Sequence, residues 1–194
     1  MEIQFKEYNK TIDNKSVKKL LLEAFPVHER YPLFYLIWKS KSKNIKFYSM
    51  YDGELWISFI YLIFYKDLIF IQYIAIDSNV RSKGYGGKVI EKIKEISPEY
   101  RIALGIEQLN KEAKNNELRI RRKNFYLKNG FIDSCYYIKQ KPVPFEILFY
   151  GKYFEIEEVL ESVKIMTGKT IWKILYPFFK KSIKQNCIND KQNY

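Results

Sequence analysis

The sequence predicts a mixed α/β (α+β) protein with a mostly antiparallel, twisted sheet of about six or seven strands flanked by helices. Three observations support this class. The first half contains β-branched and aromatic segments separated by turn residues, a glycine-rich loop precedes an amphipathic helix after residue 77, and a second run of strands follows. The last 44 residues, 151–194, are helical in pattern and are predicted as a C-terminal extension of a domain formed by residues 1–150.

The strands of the first half are predicted from their β-branched and aromatic content. They span residues 3–8, 45–51, 54–65 and 68–76. Asp52-Gly53 is a strong hairpin signal, and Lys66-Asp67 supplies a second turn. Consecutive strands joined by such turns pair with their neighbours, so this half is predicted to be an antiparallel meander.

Two helices are predicted between the first two strands. Asp13 or Asn14 can cap the first, whose apolar residues recur at helical spacing until Pro26 ends it. Pro32 suits the first turn of a second, short helix over residues 33–38.

The pattern changes after residue 77. Predicted helices cover residues 88–96, 116–128 and 154–166, and predicted strands cover residues 101–106, 131–138 and 145–149. Gly130 is a good terminator for the helix that precedes it. Residues 168–186 form a basic amphipathic segment interrupted by Pro177, and we expect it to pack on the domain or in a homodimer rather than to lie on a membrane.

Composition excludes several classes of protein. The net charge is +12 with a pI near 9.4, which favours polyanionic ligands without choosing among nucleic acid, anionic lipid and a phosphate-bearing cofactor. Two cysteines and one histidine are too few for a zinc ribbon or finger, so no metal site is expected. The apolar stretch 55–76 is broken by Lys66 and Asp67, and no apolar signal-peptide core opens the chain, so we expect a cytoplasmic protein without a membrane span.

The glycine-rich loop carries the functional prediction. It consists of Arg81, Ser82, Lys83, Gly84, Tyr85, Gly86, Gly87 and Lys88. Glycines allow the backbone to approach an anion, and the helix that follows directs its free N–H groups toward it. A P-loop would need Ser or Thr after Lys88, where Val89 stands, and the glycine spacing does not fit a dinucleotide fingerprint.

Arg81, Gly84 and Gly86 match the Arg/Gln-x-x-Gly-x-Gly/Ala pattern of the GNAT N-acetyltransferase superfamily. With the strand before the loop and the helix after it, the sequence resembles uncharacterised bacterial GNAT-domain proteins over residues 3–149. The alternative is an ordinary surface turn with scattered glycines. The resemblance implies the GNAT fold and an acetyl-CoA-dependent acyltransferase.

The resemblance also implies which residues bind acetyl-CoA. The backbone of Ile74, Ala75 and Ile76 would pair with the pantetheine arm, and the N–H of Ile76 would polarise the thioester carbonyl. The loop amides from Ser82 to Gly87 would hold the pyrophosphate, with added charge from Arg81 and the neighbouring lysines.

A second likeness lies at residues 125–131, which resemble the superfamily's Tyr-x-x-x-Gly-Phe ending. By this likeness Tyr126 is the general acid that protonates the leaving thiolate. Many members carry Asn seven residues earlier, touching the cofactor, whereas this chain has Arg119. Arg119 is therefore assigned to the 3′-phosphate of CoA or to an acidic substrate, with a solvated helix face as the plain alternative for its basic neighbours Arg121 and Lys123.

The acceptor amine needs a base, because an aliphatic ammonium has a pKa near 10.4. Glu107, at the end of a predicted strand, is the first candidate, and Glu29, between the two early helices, is the second. His28 is a lesser alternative.

These residues predict transfer of an acetyl group to a primary amine of a small molecule by direct attack. Two alternatives stand beside it: an enzyme that acetylates a protein or peptide amine, and a non-catalytic GNAT-like module that binds nucleic acid or lipid through its basic surface. No specific nucleic-acid signature is present.

Overall fold

The computed structural model describes residues 2–96, 98–139 and 143–185 of the 194-residue chain. The strands in this part are β1 (Ile3–Glu7), β2 (Ile45–Asp52), β3 (Leu55–Tyr65), β4 (Leu68–Ile76), β5 (Arg101–Glu107), β6 (Ile132–Lys139), β7 (Pro144–Tyr150) and the short β8 (Ile183–Gln185). The helices are α1 (Lys10–Ala24), α2 (Leu33–Lys39), α3 (Tyr85–Ile96), α4 (Asn116–Lys128), α5 (Ile156–Thr167) and α6 (Lys169–Ser182). Seven of these strands are longer than three residues, which confirms the predicted α/β class and its helical C-terminal part.

The chain divides into two compact units. The first consists of Met1–Phe64 and Ile71–Pro98, and the second consists of Tyr65–Phe70 and Glu99–Tyr194. The division into a domain of residues 1–150 and an extension of residues 151–194 stays a prediction.

The first unit contains the predicted meander. Its strands follow the hydrogen-bonded order β1-β2-β3-β4. The β1–β2 and β2–β3 pairs are antiparallel, with Ile3 opposite Asp52 and Ile45 opposite Ile63. Gly53 adopts φ +61° in the β2–β3 turn, a conformation that favours glycine.

Helix α1 begins earlier than either predicted cap, Asp13 or Asn14. Asn9 caps it instead, because its side-chain oxygen accepts a hydrogen bond from the backbone N–H of Thr11 at 2.9 Å. The Asp13 carboxylate reaches back to the N–H of Asn9 at 2.6 Å and also accepts a hydrogen bond from the Tyr51 hydroxyl. Asp13 therefore stabilises the helix start from inside the first turn, which places it in the helix rather than at its cap.

Aromatic rings form much of the first unit's core. The Tyr61 ring centroid lies 5.1 Å from that of Phe47 and 6.3 Å from that of Tyr73, and all three side chains are buried. The Tyr73 hydroxyl donates to the carbonyl of Glu29 at 2.6 Å and accepts from the N–H of Tyr31 at 3.0 Å. Strand β4 thereby fixes the segment that joins α1 to α2.

The second unit has the strand order β5-β7-β6-β8, with antiparallel pairs throughout. The predicted hairpin of the last two long strands is confirmed, since Ile132 lies opposite Phe149. Helix α6 contacts α5 and β6 and continues through Pro177. The predicted end of this segment at residue 186 lies outside the described residues.

A bulge interrupts strand β6 at Cys135. Cys135 is half-buried, disulfide-bonded and at φ +61° where the β6–β7 register shifts. The bulge is stabilised by Asp133, whose carboxylate accepts a hydrogen bond from the Cys135 N–H at 2.8 Å. The other cysteine, Cys187, lies outside the described residues.

A buried arginine links three segments of the second unit. Arg101 Nη2 lies 2.6 Å from Asp67 Oδ1 and 2.7 Å from Glu158 Oε2, and the other guanidinium nitrogens contact the same carboxylates. These paired hydrogen bonds hold the turn before β4, the start of β5 and helix α5 together.

Candidate functional site

The chain leaves β4 through a tightly bonded turn. Asp77 Oδ1 accepts a hydrogen bond from the N–H of Asn79 at 2.8 Å and caps the 3₁₀ turn Ser78–Val80. The exposed Arg81 folds back, so that its Nε donates to the carbonyl of Ile76 at 2.9 Å. This contact sets where the loop begins relative to the strand end.

Two left-handed residues shape the loop. Ser82 has φ +62° and Gly84 has φ +81°, and both are exposed. A Cβ built on Gly84 would meet no atom within 4 Å, so the space beside this glycine is open. The backbone is therefore accessible at the position where the sequence predicts that an anion approaches.

Helix α3 begins at Tyr85 rather than at Lys88, which corrects the predicted loop boundary. Tyr85, Gly86 and Gly87 form the first helical turn, and the N–H of Lys88 bonds the carbonyl of Gly84 at 3.4 Å. The first N–H groups of a helix lack intrahelical acceptors and carry partial positive charge. The residues predicted to bind pyrophosphate thus lie at this helix start.

Tyr85 has a structural role that explains the early start. Its buried side chain donates a hydrogen bond to Asp52 Oδ2 at 2.8 Å, at the end of β2. This bond raises the pKa of Tyr85 and lowers the pKa of the Asp52 carboxyl. Because the Tyr85 side chain is engaged by Asp52, the predicted role of Tyr85 in cofactor binding falls to its backbone.

The strand segment predicted to bind pantetheine presents two carbonyls that already have partners. Ala75 O accepts from Ser58 Oγ at 2.7 Å, and Ile76 O accepts from Arg81. The side chains of Ile74 and Ile76 are half-buried, whereas Ala75 is buried on the opposite face. The pairing of this backbone with a cofactor stays a prediction.

Glu29 lies in the 3₁₀ turn Val27–Glu29, within the first unit. Its side chain is 13% exposed, and its Oε1 lies 3.7 Å from His28 Nε2. Nearby, burial raises the pKa of Tyr31 to about 12, with a further contribution from Tyr35. The Glu29 side chain is therefore largely shielded from solvent, although the turn that carries it has no buried residue.

In the second unit, Glu107 ends β5 inside a network of donors. Its Oε1 lies 3.2 Å from Arg119 Nη2, and its Oε2 accepts from Asn115 Nδ2 at 3.3 Å and lies 3.8 Å from Arg122 Nη1. Glu107 is 5% exposed. Asn115 is a site residue that the sequence analysis does not name, although its spacing of four residues from Arg119 at a helix start is a signal for such pairing.

Arg119 points inward in the structure. Its remaining guanidinium hydrogen bonds go to the carbonyl of Gln108 at 2.7 Å and to Asn115 Oδ1 at 3.0 Å, and the residue is buried. These contacts show Arg119 as the partner of Glu107, and its predicted role toward a phosphate or an acidic substrate stays a prediction.

Tyr126 lies near the end of α4 and is buried. Its ring centroid is 5.2 Å from that of Phe125 and 5.5 Å from that of Phe131. The helix ends just after it, where Gly130 has φ +77° and the N–H of Phe131 bonds the Tyr126 carbonyl at 3.1 Å. Burial raises the pKa of Tyr126 to about 12, and the charge of Arg122 opposes this rise. The phenol is therefore protonated throughout the neutral range.

A second charged cluster on α4 was not predicted. Lys123 Nζ lies 2.9 Å from Asp133 Oδ2 and 2.8 Å from Glu146 Oε2. Glu146 is 1% exposed, burial raises its pKa, and its Oε1 has no hydrogen-bond partner among the described residues. These three residues are at least ten positions apart in the sequence, so no local pattern predicts the cluster.

The described residues contain neither a candidate metal site nor a candidate membrane span. No group of three or more His, Cys, Asp or Glu side chains there could hold a metal ion. No helix in the same part of the chain is long and apolar enough to cross a membrane.

Comparison with known proteins adds to this geometry. The family model described as "Acetyltransferase (GNAT) family" matches residues 14–131, more than half of the chain. No curated protein is significantly similar in sequence.

Solved structures show the same fold. A putative GNAT-family acetyltransferase from Bacteroides thetaiotaomicron is 22% identical, with a TM-score of 0.67, covering 89% of this chain and 98% of its own. A spermidine N-acetyltransferase chimera from Vibrio cholerae and hSSAT is 13% identical, with a TM-score of 0.61 and coverages of 77% and 95%. An aminoglycoside 6′-N-acetyltransferase complexed with coenzyme A is 14% identical, with a TM-score of 0.63 and coverages of 80% and 100%. At these identities the likeness establishes the fold alone.

Proposed function

The chain belongs to the acetyltransferase (GNAT) family, and we propose that it transfers an acetyl group from acetyl-CoA to a primary amine of a small molecule. The observation that supports this best is the loop between β4 and α3. Gly84 there adopts φ +81° with open space beside its Cα, directly before the first N–H groups of a helix. An exposed turn of this kind is suited to a pyrophosphate.

The first unit supplies the proposed donor-binding groups. The amides of residues 82–87 hold the pyrophosphate, and the exposed side chains of Arg81, Lys83 and Lys88 add positive charge. The backbone of residues 74–76 pairs with the pantetheine arm as an added strand would. The N–H of Ile76 polarises the thioester carbonyl.

Acetyl-CoA supplies an activated acyl group as its thioester. The amine nitrogen attacks the carbonyl carbon, a C–N bond forms and the C–S bond breaks. Tyr126 donates its phenolic proton to the departing thiolate. A pKa of about 12 keeps that proton in place until the thiolate appears.

The acceptor ammonium must lose a proton before attack, and two carboxylates are candidates for the base. Glu107 is oriented by Arg119 and Asn115. Glu29 lies beside His28, and its side chain is only 13% exposed. The base acts directly or through water.

We infer the acceptor class from chemistry and charge together. The spermidine and aminoglycoside acetyltransferases with the same fold are enzymes of small amines. This chain carries a net charge of +12, which repels polycations and favours acceptors that also bear a carboxylate or phosphate.

The test is an amine panel incubated with acetyl-CoA, read by release of free thiol and by product mass. The panel contains polyamines, an aminoglycoside, amino acids, amino sugar phosphates and a peptide with a free N-terminus. Acetylation of a small amine supports the proposal. Acetylation of the peptide alone would instead favour an enzyme that acetylates a protein or peptide amine. No acetylation of any amine, in a preparation that binds acetyl-CoA, would contradict the proposed acceptor class.

A further inference from the structure

A groove of about 470 Å³ lies between helices α1 and α2, within the first unit. Its volume is in the range of small-ligand sites. It lies outside the set of residues to which the acetyl-transfer chemistry is assigned. The two walls of this groove differ in chemistry, and the difference indicates what it binds.

The α1 wall is polar and basic. It consists of Lys10, Asn14 and Lys18, which recur every four residues and therefore share one helix face. Lys10 and Lys18 are about 12 Å apart along the axis, from a rise of 1.5 Å per residue. Lys41 completes the basic rim just after α2.

None of these three lysines is neutralised by the protein in the part of the chain that the structure describes. No carboxylate there lies within 4.0 Å of Lys10, Lys18 or Lys41, whereas Lys19 on the same helix pairs with Glu23 at 3.8 Å. The rim therefore presents three positive charges to a ligand.

The α2 wall is apolar and aromatic. Leu33 and Ile37 are half-buried along it, while Phe34 is 75% exposed and Trp38 is 61% exposed. Two exposed aromatic side chains at a spacing of four residues are neighbours on the helix surface. The Trp38 ring lies 5.6 Å from that of Tyr35, which supports it from one side.

A ligand that fits this groove carries negative charges along one side and flat apolar groups along the other. A single nucleic-acid strand has this arrangement, because its phosphates and its bases project to opposite sides. Proteins that bind single strands combine a basic track for the backbone with aromatic side chains on which bases stack. An acidic peptide or an anionic bilayer would use the lysines but would not require the exposed rings to stack.

We infer that the groove between α1 and α2 binds single-stranded nucleic acid without sequence preference. The lysine wall holds the phosphates, and Phe34 and Trp38 stack on the bases. The net charge of +12 raises the local concentration of such a polyanion near the protein.

The test is fluorescence anisotropy of a labelled 12-nucleotide oligo(dT) or oligo(U) with the full chain. With three phosphate contacts, raising the salt from 50 to 200 mM lowers the association constant about 20-fold, from a slope of roughly −0.7 per phosphate. Replacing Lys10, Lys18 and Lys41 by alanine abolishes most of this salt dependence. Replacing the exposed Lys111, Lys114 and Lys152 by alanine changes the net charge equally and leaves the salt dependence in place.

Stacking is tested separately at Trp38. Trp38→Ala weakens binding about tenfold, and Trp38→Phe, which keeps a ring, weakens it less than about threefold. Trp38 is exposed, so circular dichroism of each variant is expected to match the unaltered protein. Saturating coenzyme A does not displace the oligonucleotide, because coenzyme A binds the loop before α3 and the oligonucleotide binds the groove.

Other results would overturn the inference. Equal loss of affinity in the two triple-lysine variants would show binding by net charge alone. If Trp38→Ala bound the oligonucleotide with unchanged affinity, or if coenzyme A displaced the oligonucleotide, the binding site would lie outside the groove. Binding of an oligo-glutamate peptide, or of vesicles with a quarter anionic lipid, in preference to the oligonucleotide would assign the groove to a different partner.

Discussion

Arg119 Nη2 lies 3.2 Å from Glu107 Oε1, and both side chains are more than nine-tenths buried. Arg119 occupies the α4 position where many members of the superfamily carry asparagine. Here the longer side chain turns inward and orients the carboxylate at the end of β5, together with Asn115. The residue that departs from the family pattern, Arg119, therefore contacts the candidate base, Glu107.

Removing this arginine destabilises the protein. Arg119→Ala leaves Glu107 buried without its main partner, which costs about 3 kcal/mol of unfolding free energy. Urea unfolding measures the change. Arg121→Ala, on an exposed position of the same helix, is the matched control and changes stability by less than about 0.5 kcal/mol. Equal effects of the two substitutions would show that the buried pair contributes nothing particular.

Tyr126→Phe removes only the proposed proton donor. The kcat of acetyl transfer falls roughly 100-fold or more, because the thiolate then leaves unprotonated. The Kd for acetyl-CoA changes little, since the ring and its contacts remain. Tyr176→Phe on α6 serves as the control for loss of a hydroxyl elsewhere. A Tyr126→Phe enzyme with unchanged kcat would assign the proton donation to another group.

The pH dependence of kcat tests the protonation state of the same phenol. Burial raises the pKa of Tyr126 to about 12, so its donor proton is present at every lower pH and is lost only as the pH rises through that value. The kcat profile therefore has no descending limb between pH 7 and 10 that belongs to Tyr126. A descending limb in that range that disappears in Tyr126→Phe would contradict this assignment.

Acid stability depends on Arg101. Hydrogen bonds from Arg101 lower the pKa of Glu158 and of Asp67 below their values in the unfolded chain. A lowered folded-state pKa contributes stability above the unfolded value and loses it as the pH falls through the folded value. The Tm of the protein is thus expected to fall between about pH 5 and pH 2.

Glu158→Gln tests this linkage, because it removes one titrating partner. The drop in Tm between pH 7 and pH 3 shrinks by about 3 °C, which corresponds to about 1 kcal/mol for a protein of this size. Glu157→Gln, one residue earlier and exposed, leaves the drop unchanged. An identical acid profile in the two variants would show that the Arg101 pairs do not govern acid stability.

Much of the fold follows from local patterns in the sequence. β-branched segments, the Asp52-Gly53 turn and the glycine after α4 are signals of a few residues, and the structure has strands, a hairpin and a helix end there. The start of α1 was misplaced because Asn9 and Asp13 are equally good capping residues by type. Only the contact of Asp13 with Tyr51, 38 residues away, settles which one caps the helix.

The candidate site is less predictable for the same reason. The sequence identifies the loop before α3 but places the helix start too late, since the bond between Tyr85 and Asp52 spans 33 residues. Likewise, the sequence predicts that Arg119 contacts a phosphate or an acidic substrate, because no local pattern identifies Glu107 as its partner. Its burial against Glu107 depends on the chain folding back from β5 to α4.

The most direct test of acetyl-CoA use is a calorimetric titration of acetyl-CoA into the unaltered protein and into Gly84→Trp. Gly84 adopts φ +81°, and an indole placed there would cover the loop backbone. We expect micromolar binding by the unaltered protein and none by the variant, provided that circular dichroism shows both to be folded. Absence of binding by the unaltered protein, or equal binding by both, would contradict the assignment of this loop to the acyl donor.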